Sequence, residues 1–136
     1  MPTIQGLPDG FQTVANGTIS LGYSSTTATL RFIGPNTTTD RVLNLAGTTG
    51  GAILEQTGGG KLSFLSALPA TGTGSKPLTL TGTSEGLLAG AIVDNSPSNK
   101  TSLVKSGGGL WTLGGANTYT GTTNVTDGTL LLQNAT

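Results

Sequence analysis

Residues 102–134 read SLVKSGGGLWTLGGANTYTGTTNVTDGTLLLQN, and this stretch decides the fold class. It holds two short apolar segments, residues 111–113 and 130–132, and a glycine comes shortly before each of them. Asparagine, threonine and glycine fill most of the chain between the two segments. Because glycine and asparagine tolerate the positive φ angles of tight corners, the pattern predicts strands separated by corners. A chain of this kind winds into a β-solenoid, in which each coil buries the inward side chains of its strands.

The same stretch resembles a known family unit, the autotransporter-associated β-strand repeat of bacterial surface and secreted proteins. In two places it departs from the family pattern: Leu110 and Trp111 stand where the family usually has Thr and Leu, and Thr122 replaces a common second glycine. The resemblance covers about a quarter of the chain and implies a scaffold without catalytic residues. The matching positions are Lys105, Gly107, Gly108, Gly109, Leu113, Asn117, Tyr119, Gly121, Val125, Gly128, Thr129 and Leu130.

Within this unit we expect a row of side chains that points into the core of the solenoid. Alternate residues of a strand share a face, so Trp111 and Leu113 point inward while Thr112 and Leu110 point outward. Trp111 also suggests a wider core at its coil, because its ring is larger than the leucine usual there. The expected inward residues are Leu103, Trp111, Leu113, Tyr119, Val125, Leu130 and Leu132.

The corners of the solenoid are predicted at glycine and asparagine residues. At least one residue of the triplet 107–109 is expected to have a positive φ angle. We expect Asn117 to bond carbonyls at a strand end, and the hydroxyl of Tyr119 to bond the backbone. The predicted corner residues are Gly58, Gly59, Gly60, Gly107, Gly108, Gly109, Asn117, Gly121 and Gly128.

The rest of the chain repeats the strand pattern in weaker form. The segment 54–67, LEQTGGGKLSFLSA, aligns with the segment 103–116, LVKSGGGLWTLGGA, so that the two glycine triplets coincide. Two apolar residues separated by one residue recur in seven places, and residues 87–93, LLAGAIV, predict one more buried strand. The seven pairs are Ile19/Leu21, Leu30/Phe32, Leu43/Leu45, Leu62/Phe64, Leu78/Leu80, Trp111/Leu113 and Leu130/Leu132.

These patterns predict an all-β chain, a right-handed parallel β-helix of about five or six coils. Residues 51–136 are expected to form regular coils, with the clearest repeat at 102–134. Residues 1–50 are expected to form weakly repetitive coils or a hairpin-like cap. Helix is not expected, because the chain is rich in glycine and β-branched threonine.

Composition excludes several classes of function. The 136 residues contain six basic and six acidic side chains, no cysteine and no histidine. Disulfides, thiolate metal sites and histidine-based catalysis are therefore excluded, and we expect no cofactor and no metal. The chain has no basic patch for nucleic acid and no apolar run that spans a membrane. Paired carboxylates of a sugar-cleaving enzyme are not expected, since among the six acids only Glu85 and Asp94 lie within ten residues of each other.

The sequence therefore predicts a non-enzymatic structural segment of an exported bacterial surface protein, a rigid stalk or adhesin-type passenger scaffold. Because residues 1–11 lack the features of a signal peptide, we expect a piece or mature part of a longer exported chain. One alternative is a subunit that stacks head to tail into an extracellular fibre. Another is a β-helix that binds or cleaves polysaccharide. The partners expected are a second copy at the terminal coils, the continuing parent chain, or a host or polysaccharide surface.

Overall fold

The computed structural model describes residues 17–134, and every regular element in this part of the chain is a β-strand. Residues 1–11, which were predicted to lack a signal peptide, lie outside the described residues. The strands are β1 (Ile19–Leu21), β2 (Ala28–Phe32), β3 (Thr37–Thr39), β4 (Leu43–Leu45), β5 (Ala52–Gln56), β6 (Leu62–Phe64), β7 (Lys76–Gly82), β8 (Gly86–Leu88), β9 (Thr101–Lys105), β10 (Leu110–Leu113), β11 (Thr123–Val125) and β12 (Thr129–Leu132).

The strands form three parallel sheets. Sheet 1 contains β1 and β4, sheet 2 has the order β11-β9-β7-β5-β2, and sheet 3 has the order β12-β10-β8-β6-β3. All pairings within the sheets are parallel, and an isolated parallel bridge between Leu68 and Ile92 extends the side of sheet 1. The chain visits sheets 1, 2 and 3 in turn and then begins again. This path is a parallel β-solenoid, as the sequence predicted.

The number of coils is slightly smaller than predicted. Five strands stack in sheet 2 and in sheet 3, so the described chain makes about four turns between the first and the last level. The expected count was five or six. At about 4.8 Å for each step between strands, the outermost strands lie about 19 Å apart. The right-handed sense of winding stays a prediction.

The two copies of the internal repeat found in the sequence lie two coils apart in the solenoid. In sheet 3, Leu62 pairs with Gly86, and Gly86 pairs in turn with Trp111, so Leu62 and Trp111 occupy equivalent positions two levels apart. In the part that the structure describes, residues 17–50 form coils of the same solenoid, because β2 and β3 pair with β5 and β6.

Three corners connect the sheets, and they differ in how much their length varies. The third corner leads from sheet 3 to sheet 1, and the two inward positions on either side of it are always six residues apart. These pairs of positions are 37 and 43, 62 and 68, 86 and 92, and 111 and 117. The first corner, from sheet 1 to sheet 2, is long between Ile92 and Leu103 but much shorter between Asn117 and Thr123. The second corner joins sheet 2 to sheet 3. Its length also varies, from eight residues between Leu54 and Leu62 to five between Val125 and Leu130. The variation is largest in the first corner and absent from the third.

The core is a continuous apolar column between the sheets. Removal of this apolar surface from water is the main force that holds the coils together, at roughly 25 cal/mol per Å². No helix within residues 17–134 has the length and hydropathy required to cross a bilayer. The buried apolar residues are Leu21, Leu43, Leu45, Ala52, Leu54, Leu62, Phe64, Leu68, Ala70, Leu78, Leu80, Leu88, Ile92, Leu103, Trp111 and Leu113.

Candidate functional site

The first part of the predicted inward row lies in the core. Leu103, Trp111 and Leu113 are each at most 1% exposed. Tyr119 and Leu130 are partly buried and pack against the core cluster. The alternation that the sequence showed in residues 111–113 therefore places the predicted side chains inward.

The last part of the row is not buried. Val125 is 48% exposed and Leu132 is 54% exposed, so the expectation of a buried side chain is wrong at these two positions. The reason is their place in the stack: β11 and β12 are the outermost strands of sheets 2 and 3, and no strand of the described chain covers them. Leu131, on the outer face of β12, is also exposed.

One glycine explains how the large ring of Trp111 fits into the core. Gly86 pairs with Trp111 in sheet 3, and a Cβ atom added to Gly86 would lie 2.5 Å from Cζ3 of the indole. The ring of Trp111 thus fills space that a side chain on the neighbouring strand would occupy. Its Nε1 donates a hydrogen bond of 3.1 Å to the carbonyl of Thr81. The solenoid accommodates tryptophan by local pairing of a large and a small residue.

Thr112 differs from the expectation in another way. It lies on the outward face between Leu87 and Leu131, its partners in the sheet, yet it is only 4% exposed. The outward orientation is as the sequence predicted, but this outward position is not exposed to solvent. Leucine side chains on both neighbouring strands cover this part of the outer face, which explains why an outward position is shielded from water.

Replacing Leu113 by alanine is expected to lower the free energy of unfolding by about 2–3 kcal/mol, near the lower end for buried leucine. Leu132, its partner on the open side, is exposed and can relax into the cavity. Because Thr112 is shielded, its replacement by alanine is expected to have a measurable effect of about 1 kcal/mol. Urea unfolding of both variants measures the difference. Equal losses at the two positions would contradict the assignment of inward and outward faces.

The second corner carries three of the four glycines with a positive φ angle in the described chain; the fourth, Gly22, follows β1 in the first corner. Gly82, Gly107 and Gly128 have φ angles of 112°, 73° and 71° and occupy the second corner in three successive coils. The prediction of a positive φ angle within residues 107–109 is confirmed at Gly107. A Cβ atom on Gly128 would also collide with the carbonyl of Gly107 in the coil below. These residues form a column in which L-amino acids with side chains are strained.

The remaining predicted corner residues need glycine for different reasons. Gly59 and Gly108 have open space where a Cβ would be, so no neighbour requires glycine there. Gly58, Gly60, Gly109 and Gly121 approach backbone of the adjacent coil so closely that a Cβ atom would overlap it. Close stacking of backbone on backbone, rather than an unusual φ angle, therefore fixes these four positions.

Asn117 and Tyr119 make other bonds than the sequence predicted. Oδ1 of Asn117 accepts a hydrogen bond of 2.8 Å from the N–H of Ile92, so this side chain satisfies a backbone donor and not strand-end carbonyls. The hydroxyl of Tyr119 lies 2.7 Å from the hydroxyl of Thr123, a side chain and not backbone. Asn117 therefore ties its coil to the preceding one, whereas Tyr119 bonds within the shortened first corner.

Sequence reasoning missed a set of buried polar side chains at the corners, which we call corner clamps: Gln56, Lys76 and Lys105. Lys105 is completely buried, and its Nζ donates to the carbonyls of Ser106, Gly107 and Asp127 at 2.8, 2.7 and 3.1 Å. The available signal was the polar residue two positions before each glycine triplet, Gln56 before 58–60 and Lys105 before 107–109.

The other two clamps use the same chemistry. Nε2 of Gln56 donates to the carbonyls of Gly60 and Glu85, and its Oε1 accepts from the N–H of Gly58. Nζ of Lys76 donates to the carbonyls of Gly72 and Gly74. Corner carbonyls thereby receive N–H donors inside the solenoid, and for Glu85 and Gly72 these add to a backbone hydrogen bond. Unpaired buried carbonyls are unfavourable, so each clamp stabilises its corner.

Burial lowers the pKa of both clamp lysines below the ordinary value of 10.5, and at Lys105 the charge of Asp127 opposes this shift only partly. Between the lowered pKa and 10.5, the unfolded chain binds more protons than the folded chain. The contribution of these two lysines to the free energy of unfolding therefore rises with pH in that window. Below the lowered pKa, the full unfavourable effect of desolvating the charge is present.

We expect this rise to disappear in the double variant Lys76→Gln, Lys105→Gln, because glutamine does not titrate. Urea unfolding at several values between about pH 8 and about pH 10.5 measures the slopes for both proteins. The difference in unfolding free energy between wild type and variant should grow in favour of wild type as pH rises. Parallel slopes would show that the clamp lysines do not titrate differently in the two states.

Three carboxylates of the described chain have separate partners and do not converge. Glu55 and Glu85 pair with Arg31 and Lys61 at 3.3 and 3.4 Å. Asp94 accepts hydrogen bonds from Thr101 and Thr120 in the first corner. Within residues 17–134 no three acidic, histidine or cysteine side chains come close enough together to hold a metal ion. The geometry thus consists of a stacked scaffold, its corner clamps and an open end.

A parallel solenoid with glycine corners and clamped carbonyls defines a class of repeat scaffold. Comparison with known proteins gives the family. Residues 103–132 match the model of the Passenger-associated-transport-repeat, so the chain carries a repeat of the autotransporter-associated family.

One relative extends the similarity beyond the repeat. The chain is 36% identical over 137 residues to the Adhesin BmaC autotransporter of Brucella suis biovar 1 (strain 1330), and the match covers 89% of this chain. The chain spans only 4% of the length of that relative. No solved structure matches the chain.

Proposed function

We propose that this chain is a non-catalytic segment of an exported passenger, which acts as a rigid stalk or adhesin-type scaffold at the cell surface. The observation that carries the proposal is the uninterrupted parallel stack over residues 17–134, with five strands in each of two sheets. A stack of this kind transmits position along its axis, because each coil is fixed by hydrogen bonds to its neighbours. The similarity to an autotransporter adhesin supports export and surface exposure.

Location and rigidity are tested separately. An antibody raised against residues 17–134 should label intact cells of the source bacterium. As the control, an antibody against a cytoplasmic protein should label the cells only after they are permeabilised. Labelling only after permeabilisation would contradict the surface role. The purified chain should resist limited proteolysis except at its ends. Rapid cleavage within the sheets would contradict a rigid scaffold.

A second candidate function is assembly into a fibre by head-to-tail stacking. The open edges of β11 and β12, beside the exposed side chains of Val125, Leu131 and Leu132, favour it. Unpaired strand edges accept further strands, and a head-to-tail contact does not close on itself. The occupant of this edge in a longer chain would be the next coil of the same polypeptide.

Analytical ultracentrifugation and electron microscopy of the purified chain separate these outcomes. Self-assembly predicts fibres or growing oligomers as concentration rises, and Leu131→Lys should shift the population toward monomer. Thr79→Lys, on the outer face of β7 in the middle of sheet 2, is the matched control. A monomer at about millimolar concentration would rule out the fibre, since open strand edges at that concentration would associate.

A further inference from the structure

A notch opens beside the first corner of the fourth coil. It has a volume of about 520 Å³ and is lined by Val93, Asp94, Ser96, Pro97, Lys100, Thr118 and Thr120. The notch exists because the first corner shortens abruptly. The long passage from Ile92 to Leu103 overhangs the short passage from Asn117 to Thr123 in the next coil.

The overhanging loop is held in place by its own hydrogen bonds. The N–H groups of Asn95 and Ser96 donate to the carbonyl of Asn99, and the N–H of Asn99 donates back to Ser96. Nδ2 of Asn95 also donates to the carbonyl of Ala70 in the coil below, at 2.8 Å. The loop thus keeps one conformation without a ligand, which reduces the entropy lost when a ligand binds.

The opposite wall is tied to the loop through Asp94. Its two carboxylate oxygens accept bonds from the N–H groups of Thr101 and Thr120 and from the Thr120 hydroxyl. Burial by itself raises the pKa of Asp94, but these bonds and the charge of Lys100 outweigh it and lower the pKa below 3.8. The carboxylate is therefore ionised at neutral pH, and protein donors already occupy it.

The groups that remain available to a ligand are of two kinds. The charge of Lys100 acts on Asp94 from a distance, but within residues 17–134 no carboxylate oxygen lies within 4.0 Å of its ammonium. The exposed ammonium therefore stays open to a second anion at the rim. The hydroxyl of Ser96 accepts a bond from Asn99 and keeps its own hydrogen to donate. Val93 and Pro97 supply apolar surface to the same notch. A pyranose ring matches this combination, because C–H groups cover its faces and oxygens surround its edge.

We propose that the notch binds an acidic sugar residue of a glycan. The sugar carboxylate pairs with the ammonium of Lys100, a charge-assisted contact, and one ring face rests on Val93 and Pro97. Hydroxyls of the sugar exchange hydrogen bonds with Ser96 and Thr118. This inference deepens the adhesin-type function by naming a ligand class, but it does not depend on surface location or on self-assembly.

Titration of the ¹⁵N-labelled chain with glycans, followed by NMR, tests the proposal. The acidic probes are a hyaluronan tetrasaccharide, which carries uronic acid, and 3′-sialyllactose, which carries sialic acid; maltotetraose is the neutral control. A single sugar in an open notch should bind with a dissociation constant on the order of 1 mM. Saturable shifts of amides in residues 93–100 and 118–120 with one acidic probe support the proposal and identify the source of the acid.

Two matched lysine variants complete the experiment. Lys100→Met should weaken binding of the acidic probe about tenfold, whereas Lys61→Met, at a lysine paired with Glu85, should leave binding unchanged. The absence of saturable shifts with both acidic probes would overturn the proposal. Equal affinity for maltotetraose, or an unchanged affinity in Lys100→Met, would also overturn it. None of these outcomes bears on the scaffold role, which proteolysis and surface labelling test.

Discussion

Replacing Trp111 by alanine should lower the free energy of unfolding by about 3–5 kcal/mol, a large part of the stability of a domain of this size. The indole is completely buried, and its removal leaves a cavity against Gly86, which has no side chain to fill it. The carbonyl of Thr81 also loses the hydrogen bond from Nε1. Urea unfolding followed by circular dichroism measures the loss. A change below about 1 kcal/mol would mean that the ring is not part of the core.

A double-mutant cycle tests the pairing of Trp111 with Gly86 directly. Gly86→Leu alone should destabilise by about 1–3 kcal/mol, because the new side chain overlaps the indole. In a Trp111→Leu background, the same change should be much less harmful, since the leucine enters space that the ring has vacated. The expected coupling is about 1–3 kcal/mol. Strictly additive effects would show that the two residues do not share this volume.

Lys105→Met should cost about 3–5 kcal/mol, the second of the two largest effects that we expect. Methionine keeps the length and apolar stem of the side chain but removes the donor to three corner carbonyls. Loss of the donor is unfavourable by at most about 1–3 kcal/mol for each of these partly buried carbonyls, and relief from desolvating the ammonium offsets part of the sum. Thermal and urea unfolding of the variant measure the net loss.

Two comparisons separate the clamp from a simple loss of charge. Lys105→Gln should recover part of the stability, because Gln56 already bonds corner carbonyls at the end of β5. Lys100→Met removes an exposed lysine of the same type and should change stability by less than about 0.5 kcal/mol. If Lys105→Met were as harmless as Lys100→Met, the buried ammonium would have no clamping role.

Local pattern was sufficient to find strands but not to find every strand. All seven apolar pairs identified in the sequence lie in strands, because alternation with a period of two is a property of a few adjacent residues. Strand β3 was missed, since its inward residues are Thr37 and Thr39, which are buried although polar. At β9 an inward position is held by Lys105. A polar residue that is buried because it bonds corner carbonyls cannot be recognised from the spacing of apolar residues.

The number of coils and the burial of the last coil depend on information that is not local. Successive apolar pairs belong sometimes to one coil and sometimes to the next, so their spacing gave too many coils. Val125 and Leu132 have the sequence pattern of core residues, but burial also requires a neighbour above them in the stack. The sequence could not show how Trp111 fits into the core, because Gly86, which makes room for the ring, lies one full coil earlier in the chain.

The unequal corners have a practical consequence for protein engineering. The third corner keeps one interval in every coil, whereas the first corner accepts passages of different length while the flanking strands stay in register. Residues 95–99 therefore form a natural cassette, which a foreign epitope of similar or greater length can replace. The added chain would close a loop between two anchored strands, and the entropy of such closure grows only slowly with length. A peptide library spliced at this site would be displayed in a single orientation, at a fixed height along the rod.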